Sequence, residues 1–556
     1  MLRPLFALVI NLLYNTLVLP LWLLRRLRRR YWLHLTLDGP LRQRATSRRF
    51  RRRGLTVDRV QDLVDRALID NKVIGVLLTI RSISAGPTTI DALREQLARL
   101  KDRKPLEVCL ETGEMAAYRL ASIADRLAVP LGVLLDLRGH YLEVRFYGDL
   151  LARYGIDLQI GQAGRYKSAA ERLTRGTISD ANREALERLL TLAHRHSIEQ
   201  ISTARKLSQE TVADLLNDGP YDVELAEQRG LIDSIEDEQS WLERLGDGRP
   251  ARRIVAQRYL RWVRPKWFSL FRKKLIAIVS LRGAIRSGYS RQFPSPQIGD
   301  VSLRKLFDQL ARLRRVAGVV LHIDSPGGGV TPSELIYQAL CRLRKKKPVY
   351  AAFGDVAASG GYYIACGCDR LVCSAMTLTG SIGVLAGKLS LQRLLRRLGI
   401  GSFAIRRGDR SGMFGSSAPL NASERAALER LLRTTYQRFL ERVAQARRLP
   451  VAEVDDIAQG RVWAGCDAEQ HGLVDQLGGL SAAITAMQQQ LRPRGAKLRV
   501  VDVFPPVKPS GLLSLLAAGY APEFDFGAGG LLWDALELAK ERLWFYSPWH
   551  LDRRDL

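Results

Sequence analysis

Two glycine-rich segments carry the residue types that could perform acyl-transfer chemistry. Ser359 stands between small residues and glycines in the segment Ala357–Tyr362, and the segment Asp324–Gly329 follows the apolar run Val316–Ile323. Such a run predicts a buried strand that ends in a turn. Glycines let a substrate backbone approach closely and leave amide N–H groups able to stabilise an oxyanion. The pattern predicts a nucleophilic serine at the start of a helix, with two ordinary glycine turns as the alternative.

A nucleophilic serine needs a base, and the sequence offers two kinds. The chain has 7 histidines, none shortly downstream of Ser359, and His322 lies inside the predicted buried strand, where a core histidine is the simpler interpretation. A lysine can act as the base when burial disfavours its ammonium form, whereas arginine stays protonated. Lys167, in the segment Gly164–Ala169, has small and aromatic neighbours. On the residues alone it is equally well an ordinary surface lysine.

The chain contains an internal duplication. Five segments recur in the same order at offsets of 242 to 244 residues. One is the hexapeptide ALERLL, found at 185–190 and again at 427–432, and another is the pair 226–233 and 468–475. We interpret the chain as two tandem copies of one domain.

The two copies differ where chemistry is expected. Arg81–Gly86 and Glu114–Tyr118 occupy the places of the two glycine-rich segments in the first copy, which therefore has no nucleophile of its own. The place of Lys167 in the second copy is taken by Gly408–Gly412, which contains no lysine.

Strand-like and helical patterns alternate along the chain. A strand-like run at Leu33–Gly39 is followed by helical spacing of apolar residues over Val57–Ile69, and further strand-like runs lie at Val73–Ile80, Leu106–Leu110 and Leu131–Leu135. A parallel sheet covered by helices buries such strands on both faces. The predicted fold class is α/β.

The N-terminus predicts a membrane anchor. The apolar segment Pro4–Leu24 is long enough to span a bilayer, and the basic segment Arg25–Trp32 follows it instead of a cleavage site. A helix lying on the membrane surface is the alternative. Five arginines after the anchor, against Arg3 before it, favour a cytoplasmic body. The predicted regions are the anchor with its basic flank (1–32), a first repeat (33–248), a basic linker (249–274), a second repeat (275–494) and a tail (495–556).

Composition narrows the possible partners. The chain has 556 residues, of which 46% are hydrophobic and 26% charged, as expected of a globular protein of several domains. The net charge of +29 is spread along the chain without a nucleic-acid-binding motif, so anionic lipid is the expected acidic partner and nucleic acid is not. The 6 cysteines lack metal-site spacing and are interpreted as small buried hydrophobes, with no metal or cofactor expected.

Four motifs together resemble signal peptide peptidase A of the long, duplicated, protease IV type. They are SPGGG at 325–329, ASGGY at 358–362, LTGSIGV at 378–384 and GRYKSA at 164–169, and the resemblance covers residues 33 to about 494. It implies crotonase/Clp-like domains and a serine endopeptidase anchored in the inner membrane, with its body outside the cytoplasm. It also implies cleaved signal peptides and other apolar peptides as substrates, and a ring-shaped homo-oligomer, expected to be a tetramer.

The resemblance also implies the roles of the site residues. Ser359 would be the nucleophile, Lys167 the general base and Ser381 the residue that orients the lysine. The amides of Gly360 and of Gly327 or Gly328 would form the oxyanion hole. Two alternatives come from other classes: a crotonase-type acyl-CoA enzyme without a covalent serine, and a catalytically inactive membrane scaffold.

Overall fold

The structure is a computed structural model of the chain. It describes residues 12–16, 18–20, 29–44, 55–246, 248–262, 274–292, 295–491 and 498–506, together with the backbone of 544–546. Among these residues no helix has the length and apolar character needed to cross a membrane. The predicted anchor, Pro4–Leu24, lies mostly outside the described residues.

The strands are numbered in chain order. They are β1 (Tyr31–Pro40), β2 (Val73–Ser84), β3 (Leu106–Leu110), β4 (Arg126–Val129), β5 (Asp157–Ala163), β6 (Ser234–Ile235), β7 (Arg253–Val255), β8 (Leu275–Arg282), β9 (Ala284–Arg286), β10 (Gln297–Gly299), β11 (Val316–Ser325), β12 (Gly327–Gly329), β13 (Val349–Ala358), β14 (Arg370–Cys373), β15 (Leu378–Gly380), β16 (Val384–Ser390), β17 (Val462–Ala464), β18 (Gln476–Leu477), β19 (Arg499–Val503) and β20 (Trp544–Tyr546).

The helices follow the same order, and the described residues also include a 3-10 turn at Ser168–Ala170. They are α1 (Val57–Ile69), α2 (Pro87–Lys101), α3 (Met115–Ala121), α4 (Gly148–Arg153), α5 (Glu171–Thr174), α6 (Asp180–Arg205), α7 (Gln209–Asp218), α8 (Val223–Gln228), α9 (Glu238–Arg244), α10 (Ala256–Leu260), α11 (Asp300–Arg312), α12 (Val330–Arg344), α13 (Gly360–Ala365), α14 (Gln392–Arg397), α15 (Ala422–Arg447), α16 (Val451–Ala458), α17 (Gly465–Gln470) and α18 (Leu480–Leu491).

The chain divides into two compact units. The first comprises residues 1–141, 191–273 and 551–556, and the second comprises 142–190 and 274–550. The units divide the chain differently from the predicted repeats, because residues 142–190 of the first repeat belong to the second unit. The division places the segment that carries Lys167 in the same unit as Ser359.

The first unit contains a parallel sheet in the order β6-β4-β3-β2-β1-β7. Its core forms because the strands are apolar on both faces and the helices present an apolar stripe to them. In α1 this stripe is Val60, Leu63, Val64 and Ala67, all buried at helical spacing. The sheet confirms the predicted α/β class, and α1 and β3 have the bounds that the sequence pattern predicted.

The second unit repeats this strand order and adds a second sheet. Its main sheet runs β18-β14-β13-β11-β8-β19, the counterpart of the first unit's sheet strand for strand, with β15 and β17 continuing beside β13. The added sheet has the order β10-β9-β12-β20-β16-β5. The edge strands β7 and β19 occupy equivalent positions, although both lie outside the repeats predicted from the sequence.

One predicted strand is wrong. The run Leu131–Leu135 does not form a strand; the strand is β4, at Arg126–Val129. Pro130 has no amide hydrogen with which to continue the ladder, and Gly132 turns the chain with a φ of 89°. Leu131 is consequently 72% exposed.

Candidate active site

Ser359 occupies a strained turn between strand β13 and helix α13. Its φ of 54° and ψ of −115° are rare for a residue with a side chain. The turn is held from both sides, because the Ser359 N–H donates to the Gly380 carbonyl at 2.8 Å and its own carbonyl accepts the Tyr363 N–H at 2.8 Å. The residue is fully buried. The sequence correctly predicted a serine at the start of a helix.

Lys167 lies directly after strand β5 and before the 3-10 turn. Its Nζ lies at hydrogen-bond distance from Ser359 Oγ, 2.8 Å away, and donates to the Ser381 carbonyl at 2.8 Å and to Ser381 Oγ at 2.9 Å. The side chain is 1% exposed. The structure therefore excludes the interpretation of Lys167 as a surface lysine, and it brings together three predicted site residues that are widely separated in sequence.

Burial governs the charge of this lysine. Removal from water lowers the pKa of Lys167 well below its ordinary value, since the buried surroundings disfavour the ammonium form. A larger fraction of the amine is therefore neutral at a given pH than for a lysine in water. A neutral amine has two hydrogens and one lone pair, which match two acceptors on Ser381 and one hydroxyl on Ser359.

Ser381 connects strand β15 to strand β16. It also has a positive φ, of 51°. Its N–H donates to the Arg461 carbonyl at 2.7 Å. This conformation turns both its carbonyl and its hydroxyl toward Lys167. Sequence reasoning singled out Ser381 but missed Arg461, for which no motif gave a signal.

The two glycine-rich segments lie side by side. A Cβ atom placed on Gly360 would be 3.2 Å from Gly328 N and 3.3 Å from Gly327 Cα. A Cβ on Gly328 would be 2.1 Å from the Ile285 carbonyl oxygen, so only glycine fits there. The Gly327 N–H already donates to Ser325 Oγ at 3.2 Å. Backbone amides of both segments thus lie together next to Ser359.

The backbone of β20 lies along the same edge. Trp544–Tyr546 pairs antiparallel with β12, where Gly328 is opposite Phe545. On its other side β20 pairs antiparallel with β16, through Leu385 and Trp544. The edge beside the glycines therefore accepts an extended peptide main chain.

Other candidate bases lie elsewhere. His322 is in the interior of β11, paired in register with Ala352, and among the described residues no histidine bonds to Ser359. Lys388, in β16, donates to the Gly412 carbonyl at 2.8 Å and lies 3.9 Å from Glu424. Four of the six cysteines are buried, as predicted (Cys109, Cys366, Cys368 and Cys373), whereas Cys341 and Cys466 are only partly buried. In the described part of the chain no three His, Cys, Asp or Glu side chains are grouped as metal ligands.

A buried amine hydrogen-bonded to a serine at a strand-to-helix turn, beside clustered backbone amides, is characteristic of serine hydrolases. Comparison with known proteins is more specific. The sequence model described as "Peptidase family S49" matches residues 98–250 and 342–493, one segment in each repeat and together more than half of the chain. The chain belongs to peptidase family S49.

Named relatives agree with this assignment. "Serine protease SPPA, chloroplastic" of Arabidopsis thaliana is 30% identical over 493 residues, which cover 87% of this chain and 72% of the relative. "Protease 4" of Salmonella typhi is 28% identical over 459 residues, covering 78% and 72%. "Putative signal peptide peptidase SppA" of Enterococcus faecium is 32% identical over 219 residues, covering 39% and 64%. The chain is a serine-type peptidase, which disfavours the acyl-CoA enzyme alternative.

Proposed function

We propose that the chain is a membrane-anchored serine endopeptidase with Ser359 as nucleophile and Lys167 as general base. The observation that carries the proposal is the 2.8 Å hydrogen bond between Lys167 Nζ and Ser359 Oγ. Both side chains are buried, so the amine can be neutral and the hydroxyl is shielded from competing water.

The chemistry proceeds in two halves. Neutral Lys167 takes the Ser359 proton as Oγ attacks the scissile carbonyl carbon, and the lysinium then gives that proton to the departing amine. An ester between Ser359 and the acyl part of the substrate remains. Water attacks this ester while Lys167 takes one of its protons, and the proton returns to Ser359 Oγ as the carboxylic acid leaves.

Ser381 orients the base. Its carbonyl and hydroxyl both accept from Lys167 Nζ, which directs the lone pair of a neutral amine toward the Ser359 hydroxyl. Without these two acceptors the amine could rotate away from the nucleophile. Ser381 therefore acts by positioning Lys167.

The oxyanion hole is assigned to Gly360 and Gly328. Both amides belong to the adjoining glycine segments, and the alternative donor, Gly327, already donates to Ser325 Oγ. One such donor stabilises the transition state by roughly 3–4 kcal/mol. At Gly328 the close approach of the Ile285 backbone requires a glycine.

The substrate is proposed to bind as an extended strand. The pairing of β20 with β12 and β16 supports this, because a substrate main chain can make the same antiparallel hydrogen bonds. By family resemblance the substrates are cleaved signal peptides and other apolar peptides. The same resemblance supports an inner-membrane anchor, a body outside the cytoplasm and a homo-oligomer, whereas the five arginines after the anchor favour the cytoplasmic side.

The test compares Ser359→Ala and Lys167→Ala with the full-length protein in a peptidase assay. We expect each variant to lose activity by several orders of magnitude while keeping its thermal unfolding temperature within a few degrees, and the double variant to be little worse, because the two residues act as a unit. A serine-reactive acylating probe should label the wild type and leave Ser359→Ala unlabelled.

Lys388→Met is the matched control, since it removes another buried lysine of the same unit that has no contact with Ser359. It should retain peptidase activity. Full activity in a folded Lys167→Ala variant would reject the Ser/Lys mechanism. No activity and no labelling in the wild type would instead favour the inactive scaffold.

A further inference from the structure

A short loop of the second repeat contacts both the backbone of Lys167 and Ser381, whose two oxygens accept from the Lys167 amine. This loop, Gln459–Arg461, connects α16 to β17, and we call it the clamp loop. Its first residue has a φ of 44° and its second a φ of 79°. The left-handed conformation of a glutamine costs energy, so surrounding contacts must impose it.

One side of the clamp loop holds the lysine segment. The Tyr166 N–H donates to the Gln459 carbonyl at 2.6 Å, and the Arg165 N–H donates to Gln459 Oε1 at 3.3 Å. A Cβ atom on Gly460 would lie 2.6 Å from both the N and the Cβ of Lys167. The backbone of Lys167 is therefore in direct contact with a position that only glycine can occupy.

The other side of the clamp loop holds Ser381. The Ser381 N–H donates to the Arg461 carbonyl at 2.7 Å, and the Gly460 N–H donates to the Ile382 carbonyl at 2.8 Å. These two bonds fix the strained backbone of Ser381. The loop thus determines the distance between the lysine backbone and the two oxygens that orient its amine.

The Arg461 side chain anchors the clamp loop to the segment of the first repeat that contains Tyr166 and Glu184. Its Nη1 donates to Glu184 Oε1 at 2.6 Å, and Glu184 Oε2 accepts from the Tyr166 hydroxyl at 2.9 Å. The guanidinium also lies over the Tyr166 ring, 4.9 Å from its centroid, and over the Trp463 ring at 4.5 Å. The Arg461 side chain is 16% exposed, so its stacking on the two rings is largely shielded from water, whereas Glu184 at the other end of the ion pair is 48% exposed.

We propose that the clamp loop is a positioning element of the catalytic site, in which Gly460 sets the depth of Lys167 and Arg461 locks the loop to the Tyr166–Glu184 pair. This inference rests on the proposed Ser/Lys mechanism. A displacement of a catalytic group by about 1 Å is enough to lower the rate of a reaction about 100-fold. The contacts of Gly460 leave no room for a methyl group without such a displacement.

The first experiment measures the peptidase kinetics of Gly460→Ala in the full-length protein. We expect kcat to fall at least about 100-fold with KM within about twofold of wild type, because the contacts of the clamp loop run to the lysine segment and to Ser381 and not to the glycine segments proposed to bind the substrate. The rising limb of kcat/KM against pH should also move, since the displaced amine has different surroundings. A variant that was merely less stable would lose activity equally at every pH.

Gly399→Ala is the matched control. Gly399 has a φ of 70° but nothing within 4 Å of an added Cβ, so it has the same backbone strain without the contact with Lys167. It should keep the wild-type kcat and pH profile. A Gly460→Ala variant that behaves like Gly399→Ala would overturn the proposal.

A second pair of variants keeps the test valid if Gly460→Ala does not fold. Arg461→Met removes the ion pair and should lower kcat and shift the rising limb, and Arg461→Lys should restore part of both because it keeps the charge. Wild-type kcat and pH profile in Arg461→Met would overturn the role of Arg461. Should Lys167→Ala itself stay active, the Ser/Lys mechanism fails; should only the clamp-loop variants behave as wild type, the positioning role alone fails.

Discussion

Backbone strain is concentrated at individual residues of the candidate site. Of the five non-glycine residues with positive φ in the described part of the chain, three are Ser359, Ser381 and Gln459. Each strained residue is held by hydrogen bonds from neighbouring segments: Ser359 by Gly380 and Tyr363, Ser381 by Arg461, and Gln459 by Tyr166. Strain of this kind persists where the surrounding structure imposes it, and it is typical of functional sites.

The first prediction concerns the pH dependence of kcat/KM. The active form has a neutral Lys167, so kcat/KM should rise with pH through the lowered pKa of the buried amine. The midpoint of this rising limb should lie well below the free-lysine pKa of about 10.4. Ser381→Ala should lower kcat and shift this limb, because one of the two acceptors that orient the amine is lost. The measurement is kcat/KM across the pH range in which the protein stays folded.

His322→Gln is the control for this pH profile. A rising limb near the histidine value of about 6.5 that moves in His322→Gln would identify an imidazole base and contradict the role of Lys167.

Each of the two units contains the same two stabilising contacts, a tyrosine hydroxyl bonded to a carbonyl and an aspartate paired with an arginine. The Tyr362 hydroxyl donates to the Leu473 carbonyl at 2.7 Å, and the Tyr118 hydroxyl donates to the Leu231 carbonyl at 2.8 Å. In each unit an aspartate at the end of the copied segment pairs with an arginine at the end of a long helix. The two copies share this framework, although the first copy lacks the serine and its glycines.

The second prediction tests this framework through Asp475→Ala. Asp475 accepts from both Arg447 amino groups, at 3.0 and 2.6 Å, and from the Leu371 N–H at 2.7 Å. We expect the free energy of unfolding to fall by about 2 kcal/mol, because the two terminal nitrogens of the buried Arg447 and the Leu371 N–H lose this acceptor, and only Arg447 Nε keeps its bond to the Gly472 carbonyl. Asp233→Ala should have a similar effect in the first unit, and calorimetric unfolding measures both.

The loss of stability in Asp475→Ala should depend on pH in one direction, because it requires an ionised Asp475 in the wild type. Although burial opposes it, the hydrogen bonds from Arg447 and Leu371 hold the pKa of Asp475 below its ordinary value. The stabilisation is present above the unfolded pKa of about 3.9 and is lost as the pH falls through the folded value. The free energies of unfolding of the wild type and of Asp475→Ala should therefore converge at acid pH.

Glu143→Ala is the control, because it removes an exposed ion pair. It should change the free energy of unfolding by less than about 1 kcal/mol, and a loss as large as that of Asp475→Ala would contradict the argument.

At the scale of the whole molecule, the second unit is assembled from both repeats. Strand β5, from the first repeat, pairs antiparallel with β16 at every position from Asp157 to Ala163. Arg188, also from the first repeat, donates to Asp467 at 2.8 and 3.1 Å. The segment that carries Lys167 is therefore an integral part of the unit that carries Ser359.

The third prediction follows from the assembly of the second unit from both repeats. Residues 1–248 and 249–556, expressed separately, should both be inactive as peptidases, since the first lacks Ser359 and the second lacks Lys167. The second fragment also leaves the edge of β16 unpaired and should aggregate more than the full chain. Activity of residues 249–556 alone would show that the second repeat has its own base, and Lys388→Met in that fragment would then be the next variant to measure.

The residue types of the site, the duplication and several of the elements could be predicted from the sequence. Helix and strand patterns depend on the alternation of apolar residues within a short window, which is why α1 and β3 could be predicted to the residue. The run at Leu131–Leu135 failed because Pro130 and Gly132 override a purely apolar pattern. Ser359 could likewise be predicted, since a serine among glycines is a local signal.

The surroundings of Lys167 could be seen only in the folded unit. Its burial and its bond to Ser359 join residues 192 positions apart in the chain, and the lowered pKa comes from the removal of water by the folded unit. The clamp loop was not foreseen for the same reason. A glycine that touches Lys167 and an arginine that contacts Glu184 have no local pattern, because their effect depends on long-range packing and on desolvation, which no short stretch of sequence encodes.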